Sequence, residues 1–155
     1  MSTEHSEALG SKIVCQIGLI VRDIERSIAA YADLFGVEPP DWSLTDPEEQ
    51  AHTRYRGQPT AARAKLAFFR LGQVSLELIE PVGAPSTWRE FLETHGEGVH
   101  HIAFNIQGMD QQLALLERKG MPAVQRGDYT GGRYAYVDAT PQLHVILELL
   151  ENFGR

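Results

Sequence analysis

The stretch QIGLIVRDIERSIA, residues 16–29, decides the fold because the chain repeats it. It aligns without a gap with HIAFNIQGMDQQLA, residues 101–114, which begins 85 positions later. In both copies an apolar run typical of a buried strand comes before apolar residues at helical spacing. We therefore predict the same strand–helix unit twice, starting at Gln16 and at His101.

A second pair of segments closes the two units. SLELIE, residues 75–80, aligns with ILELLE, residues 146–151, at a separation of 71 positions. Chance similarity between apolar strands explains part of this match, but two matches in the same order indicate internal duplication. We predict two modules, about 12–82 and 97–152, within a single domain 12–155 that follows a disordered N-terminal tail, 1–11.

The sequence between these segments predicts the remaining elements. Asp23 is placed to cap the first helix, and the four prolines within residues 38–60 predict a long loop with little regular structure. The other predicted elements are strands 64–71 and 73–80, a short helix over 88–96, a helix over 109–119, and strands near 123–126, 133–138 and 143–150.

Composition excludes several classes of function. The net charge of −7 argues against nucleic-acid binding, which relies on clustered Lys and Arg. No apolar run approaches the roughly 20 residues that cross a bilayer, and residues 1–10 lack the features of a signal peptide. The single cysteine excludes a disulfide framework and suits a reducing compartment. We expect a cytoplasmic domain that binds neither nucleic acid nor a membrane.

Four polar residues interrupt the apolar strands at matching positions of the two modules. They are Gln16, Glu77, His101 and Glu148. A carboxylate in a buried strand is costly unless it is paired or bound to a metal. On a half-exposed sheet each of these residues would simply face solvent. Taken together, however, they predict an oxygen and nitrogen site for a divalent ion, with Co, Mn, Ni, Zn or Mg as candidates.

The motifs that carry these residues resemble the vicinal oxygen chelate superfamily, also called glyoxalase/bleomycin resistance/dioxygenase proteins. Over roughly residues 13–151 the resemblance is closest to methylmalonyl-CoA epimerases, and the segment GVHHIAF with the terminal LELLE is its most specific part. The resemblance implies an α+β fold in which two βαβββ modules form a cupped, eight-stranded mixed sheet around a metal site. It also implies a homodimer.

Carried over position by position, the family's metal ligands fall on Gln16, Glu77, His101 and Glu148. Epimerases usually have His at the first position, whereas animal-type glyoxalase I enzymes have the set found here. The arginines and the asparagine that grip glutathione in those enzymes are replaced by Ile20, Glu97 and Pro81. The strand 64–69 also lacks the additional acidic residue of some epimerases.

The chemistry shared by these relatives removes a proton next to a carbonyl, with the metal stabilising the enolate. We expect Glu148 and Glu77 to be the two bases, one for each face of the carbon. The expected substrate is a small molecule, and an acyl-CoA is a candidate. Residues 50–76 hold five basic and no acidic side chains. Arg54 and Arg56 in this stretch are therefore weak candidates for binding the phosphates of an acyl-CoA.

Two histidines near the ligands are assigned by strand alternation. His144 lies four residues before Glu148, and on one strand both would face the cavity, where His144 would contact substrate; a rim position near a turn is the alternative. His100 is adjacent to His101 and is expected to face the other way, with a structural role.

Three other functions are compatible with parts of the sequence. A glyoxalase-like lyase or isomerase acting on another thiol adduct is supported by Gln16. A non-catalytic small-molecule (antibiotic) binding protein would generally lack the four ligands. Dioxygenase chemistry uses two His and one Glu on Fe(II), and only His101 is in place.

Overall fold

In the computed structural model, which describes residues 7–154, each half of the chain begins with a strand and a helix. Five further strands complete the first half, and three complete the second. The strands are β1 (Gln16–Ile20), β2 (Ser43–Leu44), β3 (Arg54–Tyr55), β4 (Gln58–Pro59), β5 (Arg63–Leu71), β6 (Val74–Val82), β7 (Gly98–Asn105), β8 (Ala123–Tyr129), β9 (Gly132–Asp138) and β10 (Ile146–Asn152). The helices are α1 (Ile24–Phe35), α2 (Glu48–Ala51), α3 (Thr87–His95), α4 (Met109–Arg118) and α5 (Thr140–Leu143).

All the strands join one mixed sheet in the order β2-β5-β6-β1-β7-β10-β9-β8-β3-β4. The predicted α+β fold with a cupped mixed sheet is confirmed. The count of eight strands is wrong, since the sheet has ten among residues 7–154. The prediction of a long loop over 38–60 is also wrong, because this segment forms β2, α2 and the hairpin β3–β4, which supply the additional strands.

The hairpin links the two modules. It belongs to the first half of the chain but pairs with β8 of the second, with Arg54 opposite Arg126 and Tyr55 opposite Gln125. The sheet edge of one module is therefore covered by a segment of the other, which leaves fewer unpaired backbone groups there.

The alternation of β6 and β10 separates the two faces of the sheet. Leu76 and Leu78 pack under α1, and Leu147 and Leu149 pack under α4, in two apolar cores on the convex face. The residues between them face the concave side, where Trp88 of α3 lies in a third core. No helix within residues 7–154 is long and apolar enough to cross a membrane.

The last residue of each repeated segment holds the helix of its own module. Glu80 accepts a hydrogen bond from the N–H of Ile24 at the start of α1 (2.9 Å). Glu151 accepts hydrogen bonds from the N–H groups of Gly108 (2.8 Å) and Met109 (3.3 Å) at the start of α4. A carboxylate satisfies free N–H groups and the positive end of the helix dipole at once. Ile24 and Met109 are also matching positions of the repeat, so the duplication extends to this contact.

Two contacts made by residues before position 12 concern the N-terminal boundary of the domain. Residues 1–6 of the predicted disordered tail lie outside the described residues. Leu9 packs against the core under α4, and the N–H of Gly10 donates a hydrogen bond to Gln112 Oε1 (3.1 Å). The packed part of the domain thus begins before residue 12.

We expect Glu151→Gln to lower the free energy of unfolding by about 1–3 kcal/mol, because Gly108, Met109 and Arg133 all lose their ionised partner. Urea unfolding followed by circular dichroism measures the change. Glu117→Gln on the exposed side of α4 is the control and should leave the midpoint unchanged. Equal midpoints for Glu151→Gln and the wild type would contradict the assignment.

Candidate functional site

Four neighbouring strands bring the four predicted metal ligands together at the middle of the concave face. The strands β6, β1, β7 and β10 lie side by side. Gly18 on β1 is paired with Glu77 on one side and with His101 on the other. Ala103, two residues after His101 on β7, is paired with Glu148.

The polar ends of these side chains converge on one point. His101 Nε2 lies 3.0 Å from Glu148 Oε1 and 3.4 Å from Glu77 Oε1. One terminal atom of the Gln16 amide lies 2.8 Å from Glu148 Oε1, 3.0 Å from Glu77 Oε1 and 3.1 Å from His101 Nε2. His101 is fully buried, and Glu77 and Glu148 are 6% and 5% exposed.

Two backbone features of the sheet place the His101 ring. Gly18 leaves the space that the ring occupies, since a Cβ at this position would overlap its atoms. The pairing then shifts by one residue, with His101 opposite Gly18 and Val99 opposite Leu19. His100 is the extra residue of this β-bulge.

The bulge overturns the predicted direction of His100. Strict alternation would turn the His100 ring away from His101, but the bulge breaks the alternation. Both imidazoles are buried, and their Nδ1 atoms lie 2.9 Å apart. His100 therefore contacts His101 at Nδ1, whereas the two carboxylates lie at His101 Nε2.

Burial and nearby charges together raise the pKa values of Glu77 and His101 and lower the pKa of His100. Burial raises the pKa of Glu77. Burial alone would lower the pKa of His101, but the adjacent carboxylates of Glu148 and Glu77 raise it to about 9. Burial, and then the charge of His101, lower the pKa of His100. A positive charge is therefore stabilised at His101 and not at His100.

These donor atoms fit a divalent metal ion. With the Gln16 oxygen toward the other ligands, three oxygens and one imidazole nitrogen face one another, and a cation between them would make all of these contacts favourable. With the amide nitrogen there, Gln16 would instead donate hydrogen bonds to the carboxylates. Adjacent ligands of an octahedral ion lie about 3 Å apart when each bond is about 2.1 Å. The distances of 2.8–3.4 Å between these groups match that spacing.

A cavity of about 450 Å³ opens in front of this cluster. Its walls combine aromatic and aliphatic surface with carboxylate, amide and hydroxyl groups, and no Arg or Lys among residues 7–154 lines it. The lining residues beyond the ligands include Leu44, Thr45, Asp46, Thr53, Leu66, Phe68, Trp88, Asp128, Tyr129, Thr130, Tyr134, Tyr136, Leu150 and Asn152.

Sequence reasoning missed the aromatic wall of this cavity. Tyr136 on β9 is paired with Glu148, and its hydroxyl accepts a hydrogen bond from Trp88 Nε1 (2.9 Å). Tyr134 accepts one from Gln125 Nε2 (2.9 Å). The spacing of Tyr134 and Tyr136, two residues apart on a strand next to β10, was the available signal, because such residues share a face.

Three predicted substrate-binding residues lie elsewhere. Arg56 Nη2 donates hydrogen bonds to both carboxylate oxygens of Glu90 (2.9 and 3.0 Å). Arg54 Nη1 donates a hydrogen bond to the carbonyl of Gly57 (2.9 Å). His144 was predicted to lie on the last strand. It instead lies at the end of α5, with φ of 67°. None of the three lines the cavity. The prediction that strand alternation turns His144 to the side of Glu148 is wrong, because Thr140 and Pro141 start a helical turn there.

Comparisons with known proteins agree with this fold. Residues 15–137 match the family model of the Glyoxalase/Bleomycin resistance protein/Dioxygenase superfamily. The chain is 36% identical over 95 residues to the uncharacterized protein YqjC of Bacillus subtilis (strain 168), covering 59% of this chain and 68% of YqjC. It is 27% identical over 140 residues to a 2-epi-5-epi-valiolone epimerase of Actinomyces sp, covering 85% and 75%.

Solved structures share the architecture at lower identity. The methylmalonyl-CoA epimerase of Mycobacterium tuberculosis superimposes with a TM-score of 0.64 at 19% identity. The match covers 97% of this chain and 96% of that one. At this identity the likeness concerns the fold.

Metal affinity should rise with pH because a proton and a metal ion compete for His101 Nε2. The pKa of about 9 keeps His101 protonated at neutral pH in the metal-free protein. Each pH unit below that value should therefore weaken binding about tenfold, and affinity should level off above it. Mn²⁺ binding followed by electron paramagnetic resonance between pH 6.5 and 8.5 measures the slope.

The control for this experiment is His144→Gln, which removes an exposed histidine outside the cavity. This variant should keep the slope of the wild type. An affinity that does not change with pH would contradict the competition at His101.

Proposed function

We propose that this chain, which belongs to the Glyoxalase/Bleomycin resistance protein/Dioxygenase superfamily, is a metal-dependent epimerase or isomerase that moves a proton at a carbon next to a carbonyl. The observation that carries the proposal is the pair of buried carboxylates, Glu77 and Glu148, on either side of His101 in one cavity. The two carboxylates occupy equivalent positions of the internal repeat. A reaction that inverts a carbon needs one acid–base group on each face of that carbon.

Gln16, Glu77, His101 and Glu148 would hold the ion through oxygen and nitrogen, a donor set that suits Co, Mn, Ni, Zn or Mg. When bound, a divalent ion supplies Lewis-acid polarisation of the substrate carbonyl and so acidifies the neighbouring C–H.

The two glutamates divide the proton transfer between them. In one direction Glu148 takes the proton from the carbon as a carboxylate, and Glu77 delivers a proton to the opposite face as a carboxylic acid; the reverse direction exchanges the roles. Either glutamate would act after loosening its bond to the ion, and burial raises the pKa of Glu77, which favours its protonated form once it is released. The net result is inversion at the carbon with no gain or loss of atoms.

The surrounding walls protect this chemistry from water. Tyr136, Trp88 and Phe68 give the cavity an apolar side next to the carboxylates. The Tyr136 hydroxyl is held by Trp88, and burial raises its pKa well above the usual value, so it stays neutral. Exclusion of water strengthens the electrostatic interactions within the site.

Two classes of carbonyl substrate are supported by different observations. A small acyl thioester such as methylmalonyl-CoA is supported by the fold shared with methylmalonyl-CoA epimerase. A neutral polyhydroxylated ketone is supported by Asp46, Asp128 and Asn152 in walls to which residues 7–154 contribute no Arg or Lys, and by the 2-epi-5-epi-valiolone epimerase among the relatives. A glyoxalase-like reaction on another thiol adduct uses the same proton transfer. The expectations of a homodimer and of a cytoplasmic location stay predictions.

The reaction is tested by deuterium incorporation from D₂O into methylmalonyl-CoA and into a polyhydroxylated cyclic ketone. The metal-loaded protein should exchange the α-hydrogen of one of them faster than the metal-free protein. Glu148→Gln should lower the exchange by about 10²–10⁴-fold through loss of the base. Metal analysis should show that the ion is retained, since the amide keeps an oxygen ligand.

Glu117→Gln, on the surface of α4, is the matched control and should exchange like the wild type. Unchanged exchange in Glu148→Gln would contradict its role as a base. A wild-type protein that binds neither ion nor exchanges either substrate would favour the non-catalytic binding protein.

A further inference from the structure

A second histidine lies directly behind the proposed metal ligand. His100 is 1% exposed, and its ring meets that of His101 nearly at a right angle, with centroids 5.2 Å apart and an interplanar angle of 84°. The two Nδ1 atoms are 2.9 Å apart, which is a hydrogen-bond distance. Because both partners are nitrogen atoms of the same type, one ring must donate and the other must accept.

The geometry of His101 decides the direction of this bond. Its Nε2 faces Glu77, Glu148 and Gln16, so Nε2 is the nitrogen that would bind a metal ion and must then carry no proton. The remaining proton of a neutral imidazole lies on Nδ1. His101 Nδ1–H therefore donates, His100 Nδ1 accepts, and His100 carries its own proton on Nε2.

Neighbouring rings prevent His100 from turning away. Phe91 and Tyr136 meet the His100 ring edge-on, with centroids 5.4 and 5.0 Å from it. Its Nε2 is buried and makes no hydrogen bond of standard geometry within residues 7–154; only a weaker interaction with the backbone of Thr87 opposes the lowering of the pKa of His100. An unsatisfied buried nitrogen costs free energy. A leucine or phenylalanine would fill this space without that cost, so packing alone does not account for a histidine here.

We propose that His100 is a positioning residue that fixes the tautomer and the orientation of His101. This role rests on the proposed function, because it prepares His101 Nε2 to bind a metal ion. The hydrogen bond stops rotation of the His101 ring and keeps the lone pair of Nε2 in line with the two carboxylates. Partners of this kind on the outer nitrogen of a ligand histidine typically change metal affinity by 10–100-fold.

The test compares two substitutions of similar size with the wild type, using Co²⁺ alone as the probe. His100→Leu removes the acceptor, whereas His100→Asn places an amide oxygen close to the position of Nδ1. We expect Co²⁺ affinity to fall about 10–100-fold in His100→Leu and to return to within a few-fold of the wild type in His100→Asn. The visible absorption spectrum of bound Co²⁺ should change in the first variant and be restored in the second. Wild-type affinity and spectrum in a folded His100→Leu protein would overturn the proposal.

A measurement on the unsubstituted protein covers the case in which the variants fail to fold. Long-range ¹H–¹⁵N spectra of the Zn²⁺-loaded protein should show His101 protonated at Nδ1 and His100 protonated only at Nε2. A proton on His100 Nδ1 would overturn the proposal. The same state of His100 is expected without metal, so a protein that binds no ion refutes the proposed function while the histidine pair is still tested.

Discussion

The burial of two carboxylates within a few ångströms of each other is the constraint on which the rest of the structure depends. Glu77 and Glu148 would repel each other and lose their hydration in this position. His101 lies between them and carries the compensating charge when no metal is bound, which explains its raised pKa. With His101 positive and both glutamates ionised, the cluster has a net charge of −1. A divalent ion together with neutral His101 removes this excess.

The repeated motif shows how one short segment serves both faces of the sheet. Glu77 and Glu80 are three residues apart on β6, and Glu148 and Glu151 are three apart on β10. Residues three apart on a strand point to opposite faces. The first glutamate of each pair therefore faces the cavity, and the second reaches the start of the helix on the convex side. The repeat of this segment therefore gives matching positions in the site and matching contacts at the starts of the two helices.

Much of the site could be predicted because these positions obey simple periodicity. Polar residues at matching places in two pairs of apolar strands identified the four converging side chains. The prediction failed where the backbone departs from regular alternation. A bulge turns His100 toward His101, and a helical turn ending in a left-handed residue removes His144 from β10. Neither departure changes the hydrophobic pattern, so the pattern could not reveal it.

Charge along the sequence was also a poor guide to charge in the cavity. Arg54 and Arg56 belong to a basic stretch of the chain, but Arg56 is neutralised by Glu90 at 2.9 Å on the surface. Net charge over a segment reports neither the direction of a side chain nor its partner. The walls of the cavity carry Asp46 and Asp128 in addition to the carboxylates of Glu77 and Glu148. A negative group of the substrate would be repelled by these walls unless it reached the ion directly. Under the proposed function, selection among carbonyl compounds would therefore depend on the ion and on the hydrogen-bonding groups of the cavity, and not on the basic surface.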